Sequence, residues 1–259
     1  MDAMTIVSGE ALAFIILAAG KGTRMRSDMA KVLHCVGGQP MVVRVAEAAM
    51  GLHPVACTVV VGHQAEAVRE ALQDYPLSFA LQEEQLGTGH AVACATDHIP
   101  PGCSHILVIC GDTPLIRKQT LARLYAHHVH TGATLTLLAV QLEDPHGYGR
   151  IQRDAAGQIR AIVEEKDANA EEKKIGLVNT GFYCFNREFL EREIKNLRSD
   201  NVQKEYYLTD LVAVATAAGD RVECVCVDSP EEVMGVNSPE NLEEANRFAG
   251  RLTCLQQFP

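Results

Sequence analysis

The sequence predicts an open α/β sheet of the doubly wound, Rossmann-like kind, mostly parallel and flanked by helices. Three observations carry this. The apolar runs are continuous rather than alternating, they stop at glycine or other small residues, and helix-length stretches separate them. A strand covered on both faces reads as one unbroken apolar run, the usual condition inside a parallel sheet. Strands that alternate with helices point to crossover connections.

The first run, 12–17, breaks at Ala18-Ala19-Gly20, and the second, 56–61, stops at Gly62-His63. A shorter run covers 77–81, and a fourth, 105–110, ends at Gly111-Asp112. Helical stretches at 40–50, 64–73 and 89–97 lie between them, and Pro40 suits a first helical turn, where its missing N–H costs nothing. A helix over 120–130 and a strand over 133–140 continue the pattern. The rhythm then changes. Short strands at 149–151 and 158–164 flank a turn at Asp154-Ala155-Ala156-Gly157, and 166–174 reads as a charged, mobile loop. A strand over 178–185, helices over 187–197 and 208–218, a strand over 221–227 and a helix over 239–248 complete the chain.

The 33 acidic residues outweigh the 23 basic ones, for a formal charge of -10, and no long basic stripe occurs, so a broad nucleic-acid surface is not expected. The nine cysteines include no C-x-x-C pair and several stand inside apolar runs. They read as free, buried thiols in a reducing cytoplasm. The first ten residues show no basic region leading into a secretory signal, and the apolar run that follows is too short to span a bilayer. The chain is therefore expected to be neither secreted nor membrane-spanning.

The segment Leu17-Ala18-Ala19-Gly20-Lys21-Gly22-Thr23-Arg24-Met25 leaves the first strand directly. Its glycines allow a tight turn whose N–H groups can face an anion, Thr23 adds a hydroxyl, and Arg24 and Lys31 add positive charge. No G-x-x-x-x-G-K-[ST] string occurs. The dinucleotide fingerprint fails because Met25 stands where its third glycine belongs and the second strand ends without an acid. Asp112 follows a buried run and projects at the carboxyl end of its strand, where open α/β sheets place ligands. Taken alone, Asp112 also suits a helix cap or a turn, and Asn237 before Ser238-Pro239 suits a turn.

Together with Lys31, this segment is similar to the signature of nucleoside-diphosphate-sugar pyrophosphorylases. So are Gln82, Gln85-Leu86-Gly87-Thr88-Gly89-His90-Ala91, Gly111-Asp112-Thr113-Pro114-Leu115 and Gly147-Tyr148-Gly149-Arg150-Ile151. Glu164 with Lys166-Asp167-Ala168, Asn179-Thr180-Gly181 and Tyr206-Tyr207-Leu208-Thr209-Asp210 complete the ordered series. The series resembles the uridylyltransferase domain of the bifunctional N-acetylglucosamine-1-phosphate uridyltransferases over residues 12–245. The resemblance implies the nucleotide-diphospho-sugar transferase fold with a smaller sugar-binding lobe, and the pattern along the chain divides it into a nucleotide half (1–115) followed by a sugar-phosphate half (116–259). It also implies a reaction in which UTP and N-acetylglucosamine 1-phosphate give UDP-N-acetylglucosamine and pyrophosphate. Leu17, Ala18, Ala19, Gly20, Gly22 and Thr23 would cradle the nucleotide, with Arg24 and Lys31 on its phosphates. Gln82 and Gly87 would read the uracil, with Thr88 beside base and ribose. Tyr148, Gly149, Glu164, Asn179 and Thr209 would form the sugar pocket, and Asp112 and Asn237 would hold Mg2+.

Ala30 departs from the family, whose members usually place proline before the lysine matched by Lys31, and a looser loop is expected there. The family also continues into a left-handed β-helix that carries an acetyltransferase and builds a trimer. This sequence stops at Pro259 without hexapeptide repeats, so that activity is expected to be absent and the oligomeric state is left open. A sister enzyme with another sugar phosphate or nucleotide, and a non-catalytic nucleotide-sugar-binding protein, remain the alternatives. His127, His128 and His130 are expected at the surface, His90 in a packing or hydrogen-bonding role, and Cys224 and Cys226 on one face of a strand.

Overall fold

The computed structural model describes residues 11–257, and side chains as far as Arg251. The expectation for the first ten residues and that for Cys254 lie outside this range. Strand β1 (Ala11–Leu17) is followed by a two-residue hairpin, β2 (Cys35–Val36) and β3 (Gln39–Pro40), and by helix α1 (Met41–Met50). Then come β4 (Ala56–Val61), α2 (Ala65–Ala71), β5 (Ser78–Leu81), α3 (Thr88–Thr96), β6 (Cys103–Cys110), α4 (Lys118–Thr131) and β7 (Leu135–Gln141). The later part supplies β8 (Gly149–Arg153), β9 (Ile159–Val163), β10 (Leu177–Asn186), α5 (Arg187–Glu193), α6 (Asp210–Ala217), β11 (Val222–Cys226) and α7 (Pro239–Gln257).

The main sheet runs in the order β11-β7-β10-β6-β1-β4-β5. Strand β1 sits between β4 and β6 and is parallel to both. The continuous apolar run of β1 follows from this position. Phe14 and Ile16 join the core beneath α1 and α4, while Ala13 and Ile15 join the opposite core with α3 and α6. Ile15 and Ile16 are fully buried, each contributing about 1.5–3 kcal/mol of hydrophobic stabilisation. Strand β10 departs from the parallel pattern. It lies between β6 and β7 and is antiparallel to both, and its first half also pairs with β8, which forms a small lobe with β9. One sheet therefore runs through both halves of the sequence.

The β2–β3 hairpin was not anticipated, although Gly37-Gly38 marks it. Both glycines have positive φ (60° and 84°), as a two-residue hairpin turn demands. Helix α7 packs on this hairpin through Val36 and Ala249, and Asn246 Oδ1 accepts the Gly37 N–H at 2.9 Å. Helix α7 also extends well past the expected end at 248. The loop at 166–174 is tied down rather than loose. Asp167 accepts the Val202 N–H at 2.9 Å and the Tyr207 hydroxyl at 3.1 Å, and Ala168 is buried.

The surface expectation fails for His128. It is fully buried, with Nδ1 2.9 Å from Thr136 Oγ1 and its ring edge-on to His105 at 5.0 Å. Burial, reinforced by His105 and His127, holds its pKa down to about 3. His127 pairs instead with Glu223 at 3.3 Å, and His130 is exposed. Eight cysteines are free, as expected, but Cys35 and Cys226 are exposed rather than buried, and no helix among the described residues is long and apolar enough to cross a membrane.

Candidate active site

The carboxyl edges of β1, β4 and β6 are knitted together by their own backbone. Ala18 N donates to Val60 O and Gly111 N to Leu17 O, both at 2.9 Å, and Gln82 N donates to Val61 O at 2.8 Å. No Cβ fits at Gly62, where it would meet Ala19 O at 2.9 Å and Gln82 O at 3.0 Å. These contacts fix the three loops at the sheet edge.

The glycine-rich loop closes over this edge. Gly22 has φ 63°, and a Cβ there would lie 2.5 Å from that of Lys31, so the glycine lets the lysine stem pass close by. Gly20 has no heavy atom within 4 Å of an added Cβ and fronts open space. The Lys31 ammonium donates to Asp112 Oδ2 and, at 2.9 Å, to Asn237 Oδ1. Arg24 Nη2 donates to the same Asn237 oxygen at 3.1 Å. Asn237 reaches Asp112 because Val236 N donates to Asp112 O at 2.9 Å. The segment before it is anchored by Glu232, a buried carboxylate that pairs with the Arg117 side chain and accepts the Arg117 backbone N–H at 3.0 Å. Sequence reasoning overlooked Glu232 because its partner, Arg117 at the N-cap of α4, lies far away in the chain.

Two clefts meet at Asp112. One, of about 290 Å³, is lined by Leu17, Ala18, Ala19, Gly20, Lys31, Gln82, Gln85, Gly87 and Thr88 on the nucleotide side, and by Cys110, Asp112 and Glu205. The other, of about 420 Å³, has Arg24, Thr113, His146, Tyr148, Thr180 and Asn237 around the same Cys110 and Asp112. Thr23 lines neither cleft.

Within the first cleft the Gln82 amide has a fixed orientation. Its nitrogen donates to Gly87 O, which can only accept, and lies 3.1 Å from His90 Nδ1. His90 Nδ1 is then an acceptor, and the ring proton sits on Nε2, 3.8 Å from Cys94 Sγ. The hydrogen-bonding role expected of His90 is thus orienting Gln82. Thr88 Oγ1 accepts the Leu208 N–H at 3.0 Å, which ties its hydroxyl to the neighbouring loop. Gly87, at φ 111°, lies against the backbone of Tyr206, and two bonds of 2.8 Å, Tyr206 N to Leu86 O and Gly89 N to Tyr206 O, join the two loops.

Glu164, Asn179, Thr209 and Gly149 form a second group that lines neither cleft, although Tyr148 and Thr180 beside them line the larger one. Thr209 Oγ1 donates to Glu164 Oε1 at 3.0 Å, and a Cβ on Gly149 would lie 3.3 and 3.4 Å from the Glu164 oxygens. Burial raises the Glu164 pKa above its ordinary value, with the Thr209 hydroxyl working against it. Asn179 pairs with Gly149 across β8 and β10, donates to Tyr183 Oη at 2.6 Å and accepts the Gly181 N–H at 3.1 Å. The β10 register shifts between Asn179 and Tyr183, an irregularity that re-aims side chains at the edge of the site. Arg150 and Glu165 were not singled out from the sequence. The buried Arg150 guanidinium donates to Tyr148 O and pairs with Glu165 at 2.7 Å, and Glu165 also accepts the Gly147 N–H at 3.1 Å, so the pair holds the 147–149 turn.

A family model described as nucleotidyl transferase matches residues 13–231. The bifunctional protein GlmU of Pelobacter propionicus is 48% identical over 243 residues, which cover 93% of this chain and 53% of that protein. GlmU of Geobacter metallireducens is 50% identical over 239 residues, covering 92% of this chain and 50% of its own. For Desulfotalea psychrophila GlmU the identity is 47% over 235 residues, covering 91% and 69%. The chain thus spans about half the length of most of these curated relatives. Among solved structures, a putative glucose-1-phosphate thymidylyltransferase from Bacillus anthracis in complex with sucrose superposes with TM-score 0.71 at 20% identity, covering 92% of this chain and 95% of that one. HddC from Yersinia pseudotuberculosis, complexed with GMP-PN, does so with TM-score 0.66 at 18% identity, covering 91% and 98%. At these identities the two structures speak for the fold: a mostly parallel sheet flanked by helices.

Proposed function

The chain belongs to the nucleotidyl transferase family, and from that premise we propose that it joins UTP to N-acetylglucosamine 1-phosphate, releasing pyrophosphate and forming UDP-N-acetylglucosamine. The observation that carries the proposal is the convergence of Lys31, Arg24, Asp112 and Asn237 where the two clefts meet. Two phosphate groups, one entering from each cleft, would come together there.

A sugar phosphate is largely doubly ionised at neutral pH, its second pKa being about 6, so its oxygen needs no general base to attack the α-phosphorus. The barrier is electrostatic. Two anions must approach, and a pyrophosphate must carry charge away. Lys31 and Arg24 offset that charge directly, and direct in-line displacement follows with no covalent enzyme intermediate.

The residues also fit a divalent cation. Asp112 Oδ2 and Asn237 Oδ1 both meet one ammonium, so they lie near enough to share a cation. Among the described residues no group of three or more His, Cys, Asp or Glu side chains could hold a metal. A sparse oxygen pair completed by water and substrate phosphates is the habit of Mg2+. Asp112 and Asn237 would hold the ion, which when bound neutralises developing phosphate charge. Lys31 would then be released toward the nucleotide phosphates.

Gln82 spends its amide nitrogen within the protein and so offers a base its carbonyl, which matches the N3–H donor of uracil. Gly87 offers backbone beside it, and Thr88 holds the adjoining loop at the ribose side. Leu17, Ala18, Ala19 and Gly20 form the phosphate-side wall, whereas Gly22 and Thr23 stand outside the cleft lining, Gly22 acting through the room it leaves for Lys31. Glu164, Asn179, the Gly149 backbone, Thr209 and Tyr148 are the groups for the hydroxyls and acetamide of the sugar. In this division residues 1–115 serve chiefly the nucleotide and 116–259 chiefly the sugar phosphate.

Pyrophosphate release, measured with each nucleoside triphosphate against N-acetylglucosamine 1-phosphate and glucose 1-phosphate across a magnesium titration, tests the proposal. Release should require magnesium, favour UTP with the acetylated sugar, and fall by about two orders of magnitude or more in Asp112→Asn, the scale seen when one transition-state electrostatic group is removed. Faster turnover of glucose 1-phosphate would overturn the sugar assignment, and undiminished release by Asp112→Asn would remove that carboxylate from the mechanism.

A further inference from the structure

Lys31 can serve phosphates only if the chain leading to it is held. Arg24, Arg26, Ser27, Asp28 and Met29 are exposed, and the Met29 N–H bonds only locally, to Ser27 Oγ at 3.1 Å. Order is restored at Ala30, which is buried, and its N–H donates to Gln64 Oε1 at 2.7 Å. The other end of the same amide acts too, Gln64 Nε2 donating to Asp28 O at 2.7 Å. One side chain thus grips the loop by two main-chain groups on either side of Met29. Gln64 stands just past the carboxyl edge of β4, and its own backbone is left-handed, φ 53° and ψ 43°. For a residue other than glycine that conformation is uncommon and costs free energy, which surrounding contacts must offset.

From this we infer that Gln64 is a positioning residue for the transfer reaction: its side-chain amide clamps Asp28 and Ala30 to the end of β4 and so sets Lys31 on the nucleotide phosphates. The inference rests on the function proposed above for what Lys31 does, while the clamp itself is a matter of loop order. The Ala30 backbone, φ -53° and ψ 133°, lies within the range of proline. Proline there would supply by covalent restraint what Gln64 supplies through the Ala30 N–H.

The test uses Gln64→Gly, which removes the amide and relieves the left-handed backbone, so that lost activity cannot be charged to a strained alanine. UTP affinity without sugar phosphate, KM for each substrate, and hydrogen exchange over residues 21–33 are measured. Of the two hydrogen bonds lost, that to Asp28 is exposed and that to Ala30 is half-buried, so UTP affinity should fall about three- to tenfold. KM for the sugar phosphate should change less than about twofold, and exchange over 27–33 should rise. Adding Ala30→Pro to Gln64→Gly should restore UTP affinity to within about twofold of the parent, as expected when a lost restraint is replaced by another. Unchanged exchange in Gln64→Gly would overturn the clamp, and equal losses for both substrates without rescue by proline would reduce Gln64 to general stability. If no variant, nor the parent, turns over UTP, faster exchange in Gln64→Gly still upholds the clamp, and the transferase function alone falls.

Discussion

Acid should destabilise this protein through one ring. His128 is fully buried, Nε2 has no hydrogen-bond partner, and its pKa is held near 3 against 6.5 for an exposed histidine. Between those values the unfolded chain binds a proton that the folded chain refuses, so stability rises with pH and is lost on acidification. At about 1.36 kcal/mol for each pH unit separating them, the full loss approaches 5 kcal/mol below pH 3. By pH 5, where the folded ring is still neutral and the unfolded ring is mostly charged, it is about 2 kcal/mol. Other groups titrate over the same window, and a substitution isolates this one. His128→Gln keeps a polar group for Thr136 but has no proton to gain. Urea unfolding of both proteins at pH 7.5 and pH 5 should show the parent losing about 2 kcal/mol more than the variant. Equal losses would mean that His128 is charged or solvated in the folded state, and the burial argument would fail.

Glu164 carries the opposite sign. Its folded pKa is raised above 4.5, so its contribution is fully present below that value and is lost as pH rises through the folded pKa. Glu164→Gln should therefore be more stable than the parent at pH 8 in chemical denaturation, with the advantage gone below pH 4.5, while KM for the sugar phosphate rises. Gly87→Ala would place a Cβ 2.7 Å from Tyr206 O at φ 111° and should lower stability by about 1–3 kcal/mol. Thermal melting and UTP titration should both register it, and an unaltered melt would show that the backbone there yields freely. Lys31→Met should lower kcat while leaving the fold intact by circular dichroism, and retention of full kcat would place the lysine outside the reaction.

Much of this architecture was legible because burial on both faces leaves a plain trace. Strands β1, β4 and β6 are read from unbroken apolar runs, and Asp112 from its place after one of them. The antiparallel β10 was recognisable as a strand, but its direction depends on which neighbours it meets. Asn237 was weakly marked, since its tie to Asp112 is a main-chain bond from Val236, and such bonds leave no signature in residue type. His128 could have been read correctly. Leu121, Leu124, Tyr125 and His128 are spaced as one buried helical face, and all four are buried, but the cluster of three histidines drew the eye to the surface. Gln64 left no signal, because its partners are peptide groups distant in sequence.

The seam between Leu86–Gly89 and Tyr206 is stitched by peptide groups alone. Leu86 and Tyr206 can exchange their side chains without opening it, whereas Gly87 is pressed against the Tyr206 backbone and Gly89 against Leu197 Cδ1 and Tyr206 O, so neither has room to grow. The side chains around the seam are therefore free to vary while the two loops stay fastened to each other. Along this seam the two glycines are the positions that cannot change.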